Sequence, residues 1–167
     1  MLLYTTVPSP IGDLLLLGDE DGLRGLYMPP HRWGPEGIDP AWRRADEPFA
    51  AARVQLGEYF AGERRVFDLK LNPTGTEFRR RVWAALEEIP FGETRTYGQI
   101  ATRLGDPSAS RAVGLANGRN PISIVVPCHR VIGANGSLVG YGGGLDRKRA
   151  LLDHEATVAG ELSLPLF

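Results

Sequence analysis

Residues 96–118 read TYGQIATRLGDPSASRAVGLANG, and the two short helices written into that stretch decide the fold of the second half of the chain. Thr96 is placed to cap the first of them, Gln99 three residues later closes a capping box, and the helix runs to about Leu104. Gly105 turns the chain. Asp106 as N-cap and Pro107 at the first helical position start a second helix, on which Ala109, Ala112, Val113 and Ala116 recur at helical spacing. Two short helices on a tight glycine turn predict a helix-turn-helix. The outer face of the second helix carries Ser110, Arg111, Gly114, Asn117 and Gly118. Glycine inside a helix costs about 1 kcal/mol relative to alanine, so something should compensate. Two uses fit: close approach to a nucleic-acid groove with Arg111 standing out of the face, or tight packing against another helix of the same protein.

Upstream, Phe78, Val82, Ala85, Leu86 and Ile89 form one apolar stripe of a further helix that Pro90 ends. The NPTG at 72–75 reads as a linker, which divides the chain into units at 1–71 and 72–167. In the first unit, Leu2–Val7, Leu14–Leu17 and Leu23–Met28 read as a small antiparallel sheet. Residues 29–48 hold too many Pro and Gly for a regular element and predict a long surface loop pinned by Trp33 and Trp42. A helix over Phe49–Phe60 and a strand over Val66–Leu71 close the unit. The fold class is therefore α/β (α+β): a sheet with a helix, then a helical unit.

With 43% hydrophobic and 23% charged residues in 167, the chain buries a real core. The longest aliphatic run, Leu14–Leu17, falls far short of the ~20 residues that span a bilayer, and no export signal is evident. A soluble cytoplasmic protein with no membrane partner is expected. One cysteine makes no internal disulfide, and His31, His129 and His154 have no zinc-ligand spacing with it, so no metal is expected. Charge is segregated: between Arg95 and Arg149 stand eight basic side chains against Asp106 and Asp146. Either a polyanion-binding surface or an ordinary solvated arginine face accounts for that balance.

The lone cysteine sits in VVPCHRVIG, residues 125–133. A buried cysteine is commonly just a small apolar residue. A nucleophilic one needs its thiol pKa brought down from about 8.5 by cationic neighbours, and His129 and Arg130 are candidates. Adjacent side chains diverge, so a water between Cys128 and His129 is favoured over a direct bond. A histidine base needs a third group to fix its tautomer. In LDRKRALLDHE (145–155), Glu155 shares the inward stripe of Leu151 and Leu152, and a carboxylate there needs a partner: His129, or an arginine such as Arg130. ANGS at 134–137 signals a hairpin turn, and GYGGG at 140–144 a mobile loop. Its Tyr141 either closes over a flat ligand or anchors its own loop. The glycines lack the Gly-Lys-Ser/Thr of a phosphate cradle, so no nucleotide cofactor is expected.

PCHRVIG (127–133), preceded by RAVGLANGRNP (111–121) and followed by GYGGGLDRKRALLDHE (140–155), resembles the O6-alkylguanine-DNA alkyltransferase family, over roughly residues 75–155. The resemblance implies a ribonuclease-H-like N-terminal unit and a C-terminal helix-turn-helix unit carrying the active site. It implies Cys128 as alkyl acceptor, His129 as water-mediated base, Glu155 as the carboxylate orienting it, and Asn120 as the brace of the turn around the cysteine. Tyr97 is implied as donor to the guanine ring and as an aid to rotating the nucleotide. Tyr141 and the Gly142 amide are implied as a lid over the base, with Val131 beside them on the substrate side. Arg111 is implied as the finger that replaces the flipped base, flanked by Ser110, Ala112 and Gly114 in the minor groove. The implied partner is double-stranded DNA containing O6-alkylguanine, with O4-alkylthymine a further substrate. The protein is expected to act as a monomer, with cooperative assembly on DNA left open.

The thioether product resists water, and no second cysteine is present to attack it, so each molecule is expected to act once. The N-terminal zinc ligands of some family members and an attached transcription-activator module are absent, and no regulatory role is expected. Two other classes compete. A nonreactive reader of alkylated DNA would have replaced Cys128, and a Cys-His-Glu hydrolase would leave the basic stretch and the small-faced helix unexplained.

Overall fold

The structure, a computed structural model, describes residues 1–139 and 141–163. Strands β1 (Leu3–Val7), β2 (Leu14–Asp19) and β3 (Gly22–Tyr27) form an antiparallel meander, with Thr5 opposite Leu16 and Leu16 opposite Leu26. The first five residues of β2 are all buried, as a central strand covered on both faces requires. The sheet order is β3-β2-β1-β4, where β4 is the two-residue strand Arg43–Arg44 lying parallel to β1. The expected loop over 29–48 thus contains an edge strand, and a 3-10 turn begins inside it at Glu47–Phe49. Trp42 packs near Tyr4, with ring centroids 6.4 Å apart. Helix α1 (Ala50–Phe60) buries Ala52, Gln55, Leu56 and Tyr59.

The strand expected over Val66–Leu71 does not form; only Leu71 makes a bridge, to Leu23. The reason is competition for one sheet edge. Leu23 bonds to Lys70 and Asn72, whereas Leu26 three residues on bonds to Pro121 and Ser123. The outer edge of β3 is therefore shared, and neither neighbour gains a continuous ladder.

Helix α2 (Glu77–Glu87) starts at Thr76, whose side chain accepts from Arg79 N, and buries Val82, Trp83, Ala85 and Leu86. Strand β5 (Arg95–Thr96) leads into α3 (Tyr97–Arg103), with the Thr96/Gln99 capping box formed in both directions. Gly105, at φ +89, makes the turn. Asp106 accepts from Ser108 N, a 3-10 turn spans Pro107–Ala109, and α4 (Ser110–Gly118) follows. Of the expected apolar stripe, Val113 and Ala116 are buried, but Ala112 is exposed. Strand β6 (Val131–Ile132) pairs parallel to β5. The 134–137 turn closes on itself through Gly133 N to Ser137 O, and with β6 committed to β5 no hairpin forms there. Helix α5 spans Leu145–Ser163.

One cluster of buried apolar residues runs from Leu16 and Leu26 of the sheet through Leu56 and Tyr59 to Val82, Val113, Cys128 and Leu151. The cysteine lies in the core that joins the two halves.

Candidate active site

The approach to Cys128 is an unusual turn. Ile124, buried and β-branched, has φ +71, a conformation of the kind that stores about 1–3 kcal/mol at functional sites. The turn is closed by Val125 N to Ser123 O at 2.8 Å and Val126 N to Ile122 O at 3.0 Å. Asn120 braces it: Nδ2 donates to Val126 O at 2.9 Å, and Oδ1 accepts from Ile122 N at 3.1 Å. Cys128 then opens a 3-10 turn, Cys128–Arg130, that carries three consecutive buried side chains. Burial dominates and holds the thiol pKa above its ordinary value, with Asn120, Lys148 and Ser123 offsetting only part of the rise.

His129 is fully buried, and its Nε2 lies 2.6 Å from Glu155 Oε2. Arg130 reaches the same carboxylate as a fork, Nε to Oε1 at 2.8 Å and Nη2 to Oε2 at 3.0 Å. Tyr59 of α1 donates to Oε2 at 2.6 Å, and Gly92 N to Oε1 at 3.3 Å. Burial alone would push Glu155 up, but the donors and charges of His129 and Arg130 outweigh it and hold the carboxyl well below its usual range. Burial keeps His129 below its ordinary value, against the pull of Glu155. A carboxylate only accepts, so Nε2 of the neutral ring carries the hydrogen and Nδ1 is left as the basic atom.

Tyr97 and Tyr141 lie near enough to the thiol for its charge to raise their pKa further, after burial. Among the described residues, five buried polar atoms lack a partner in hydrogen-bonding geometry: Arg24 Nε, which lies in an ion pair with Asp19, and Asn117 Oδ1, Ser123 Oγ, His129 Nδ1 and Tyr141 OH. Such atoms are rare in native interiors, and two of them, on Ser123 and Tyr141, belong to side chains that interact with the Cys128 thiol. Asn117 also donates to the Cys128 carbonyl at 3.3 Å. Lys148, fully buried, donates to Val139 O at 2.9 Å, and Tyr97 OH donates to the same oxygen at 3.0 Å. Burial pushes the Lys148 ammonium down to about 8, with the Cys128 charge opposing.

On α4 the expected small outer face divides in two. Asn117 and Gly118 are buried, and a Cβ at Gly118 would lie 2.7 Å from Trp33 Cζ3. The rest is open: Arg111 and Ala112 are exposed, Ser110 and Gly114 partly so, and Leu115 is 67% exposed. The basic stretch also divides. Arg95 and Arg103 pair with Glu93 and Glu88, while Arg130, Arg147 and Lys148 are spent on internal acceptors. Arg111, Arg119 and Arg149 are exposed.

Residues 77–157 match the family model described as 6-O-methylguanine DNA methyltransferase, DNA binding domain, and residues 2–73 match the ribonuclease-like domain of the same family. The chain belongs to the 6-O-methylguanine DNA methyltransferase family. Among relatives of this family, the methylated-DNA–protein-cysteine methyltransferase of Mycolicibacterium paratuberculosis is 57% identical over 152 residues, covering 91% of each chain. That of Methanosarcina acetivorans is 56% identical over 92% of this chain and 98% of its own. The structure of Mycobacterium tuberculosis OGT in complex with DNA superposes with a TM-score of 0.88 at 52% identity, covering 93% of this chain and 94% of that one.

In this member of the methyltransferase family the fold brings Cys128, His129, Glu155, Asn120 and Tyr141 into one buried region, with Tyr97 partly buried beside it. Both partners weighed for Glu155, His129 and Arg130, are present at once. Val131 is fully buried in β6, and Tyr141, Gly142 and Gly143 are buried rather than forming an outlying glycine loop. Arg111, Ser110, Ala112 and Gly114 stand on a separate, outward surface of α4. Sequence reasoning missed Tyr59, Asn117, Ser123 and Lys148. Lys148 carried a usable signal: with Leu151 and Glu155 it stands at offsets of three and seven on one helical face. Among the described residues no cluster of His, Cys, Asp or Glu is arranged to hold a metal ion, and no helix is long and apolar enough to cross a membrane.

Proposed function

We propose that the chain repairs O6-alkylguanine in double-stranded DNA by direct reversal, moving the alkyl carbon to Cys128 Sγ in one irreversible event per molecule. The observation that carries this reading is the 2.6 Å contact between His129 Nε2 and Glu155 Oε2, which leaves Nδ1 as a buried base on the residue that follows Cys128 in the chain.

The thiol proton passes through a water to Nδ1, and the imidazolium formed is stabilised by Glu155. Sulfur attacks the alkyl carbon in line as the carbon–O6 bond breaks, so a thioether forms and guanine leaves as an anion that recovers a proton. Donors must meet that growing charge. Tyr97 and the Gly142 amide fill this role, with Tyr141 and Val131 against the base. Asn120 holds the cysteine turn. The target atom is inside the duplex, so the base is extruded at a cost of a few kcal/mol, which Arg111 offsets by entering the stack. Ser110, Ala112 and Gly114 allow the approach of α4 to the minor groove. The ribonuclease-like unit, 1–71, and the alkyl-acceptor unit, 72–167, divide at the linker. A working thiol of this kind suits a reducing cytoplasm.

The test is stoichiometric. Incubation with excess O6-methylguanine duplex should restore one guanine per protein molecule and then stop. Continued turnover, or restoration by Cys128→Ser, contradicts the reading.

A further inference from the structure

The first unit sends residues 28–34 across to the segment that follows the 134–137 turn. Arg32 N donates to Gly142 O at 2.9 Å. The His31 ring lies directly against Gly142, where any added Cβ would collide with it. That ring is held in turn: its Nδ1 accepts from Trp33 N at 3.2 Å, and Tyr27 packs edge-on at 5.2 Å. Trp33 covers Gly118 at the end of α4, and the guanidinium groups of Arg32 and Arg119 lie 4.7 and 5.4 Å from its ring centroid. From the other side, Arg147 of α5 donates to Met28 O at 2.8 Å and Pro29 O at 2.9 Å, and also to Ile11 O at 3.1 Å and Gly143 O at 3.4 Å. One guanidinium therefore ties both units to the segment containing Tyr141 and Gly142.

We propose that His31, Trp33 and Arg147 form a clasp by which the ribonuclease-like unit presets the Tyr141–Gly143 backbone over Cys128, making them positioning residues for alkyl transfer. This rests on the reading in which Tyr141 and Gly142 face the extruded base. Glycine at 142 lets the backbone come close to the ring, and the ring then fixes where that backbone stands. Without the clasp, the segment would have to be ordered at each encounter, and an error of about 1 Å there is costly to rate.

The experiment compares methyl or benzyl transfer with iodoacetamide labelling of Cys128, which senses the thiol but needs no lid. His31→Ala should slow transfer from both free O6-benzylguanine and alkylated duplex by about ten-fold, with labelling and DNA affinity unchanged within error. His31→Phe, which keeps a ring over Gly142, should recover most of the rate. Gly142→Ala should be slow in the parent chain, and the His31→Ala/Gly142→Ala pair should be no slower than the His31 variant alone. Should His31→Ala lose its fold, Arg147→Lys, which keeps charge but cannot span carbonyls of both units, should give the same split between transfer and labelling. Unchanged transfer in these variants, or independent multiplication of the two effects, overturns the clasp. Failure of the parent chain to alkylate Cys128 overturns the functional reading instead.

Discussion

Tyr59, in the first unit, donates a 2.6 Å hydrogen bond to Glu155 on the last helix, so the orienting carboxylate is held from both halves of the molecule. Hydrogen bonds to a charged group contribute about 1.5–3 kcal/mol each. Tyr59→Phe should therefore lower the unfolding free energy by about 2 kcal/mol in urea titration and leave most of the alkyl-transfer rate intact, because His129 and Arg130 still hold Glu155. No loss of stability would show that this bond contributes nothing.

Glu155→Gln keeps the shape but leaves the buried Arg130 guanidinium without its counter-charge. Breaking a buried pair from one side costs about 3–5 kcal/mol, and loss of the imidazolium's stabilising charge should slow transfer as well. Denaturant midpoints and single-turnover rates should fall together. Loss of stability with full activity would separate Glu155 from the chemistry.

Acid should destabilise the fold through two of these groups with the same sign. His129 is held below its ordinary value, so between about pH 6.5 and its folded value only the unfolded chain binds that proton. Stability falls as pH falls through that window. Glu155 is depressed as well; its contribution is present above about pH 4.3 and is lost as pH falls through its folded value. Urea unfolding at pH 7.5, 6 and 5 should give steadily lower free energies, and a flat or rising series contradicts the buried neutral imidazole.

Lys148 places an ammonium near enough to Cys128 and His129 for its charge to act on both, and it shares the Val139 carbonyl with Tyr97. A buried cation favours the thiolate. Lys148→Met should move the pH of half-maximal iodoacetamide labelling upward, and Lys148→Arg, which stays charged, should not. Identical profiles would mean that Asn120 and Ser123 carry the effect alone.

The exposed cations leave a modest docking charge. Arg111→Ala should weaken repair in duplex DNA by about ten-fold or more while sparing free O6-benzylguanine. It should also lower the slope of log affinity against log salt by about one unit. Arg103→Ala, whose charge is paired with Glu88, should leave the slope unchanged.

What was legible in the sequence was local. The Thr96/Gln99 box, the Asp106 cap and the stripe of α2 are settled within a few residues, and the inward face of α5 marked Glu155 as a carboxylate in need of His129 or Arg130. What was not legible depended on distant chain. Val66–Leu71 lost its strand because the segment before Cys128 takes part of the same edge. Gly142 read as part of a mobile loop and Gly118 as part of a face for either a nucleic-acid groove or another helix, but they accommodate His31 and Trp33 from a loop more than eighty residues earlier. Tyr59 had no signal at all, because only folding brings α1 to α5.

The most direct test of the central claim is peptide mapping by mass spectrometry after exposure to excess O6-methylguanine duplex. The expected result is one methyl group, on the peptide containing Cys128, at one per chain and stable on prolonged incubation, with none in His129→Ala at early times. Methyl on any other residue, or an unmodified Cys128 while repair continues, would contradict it.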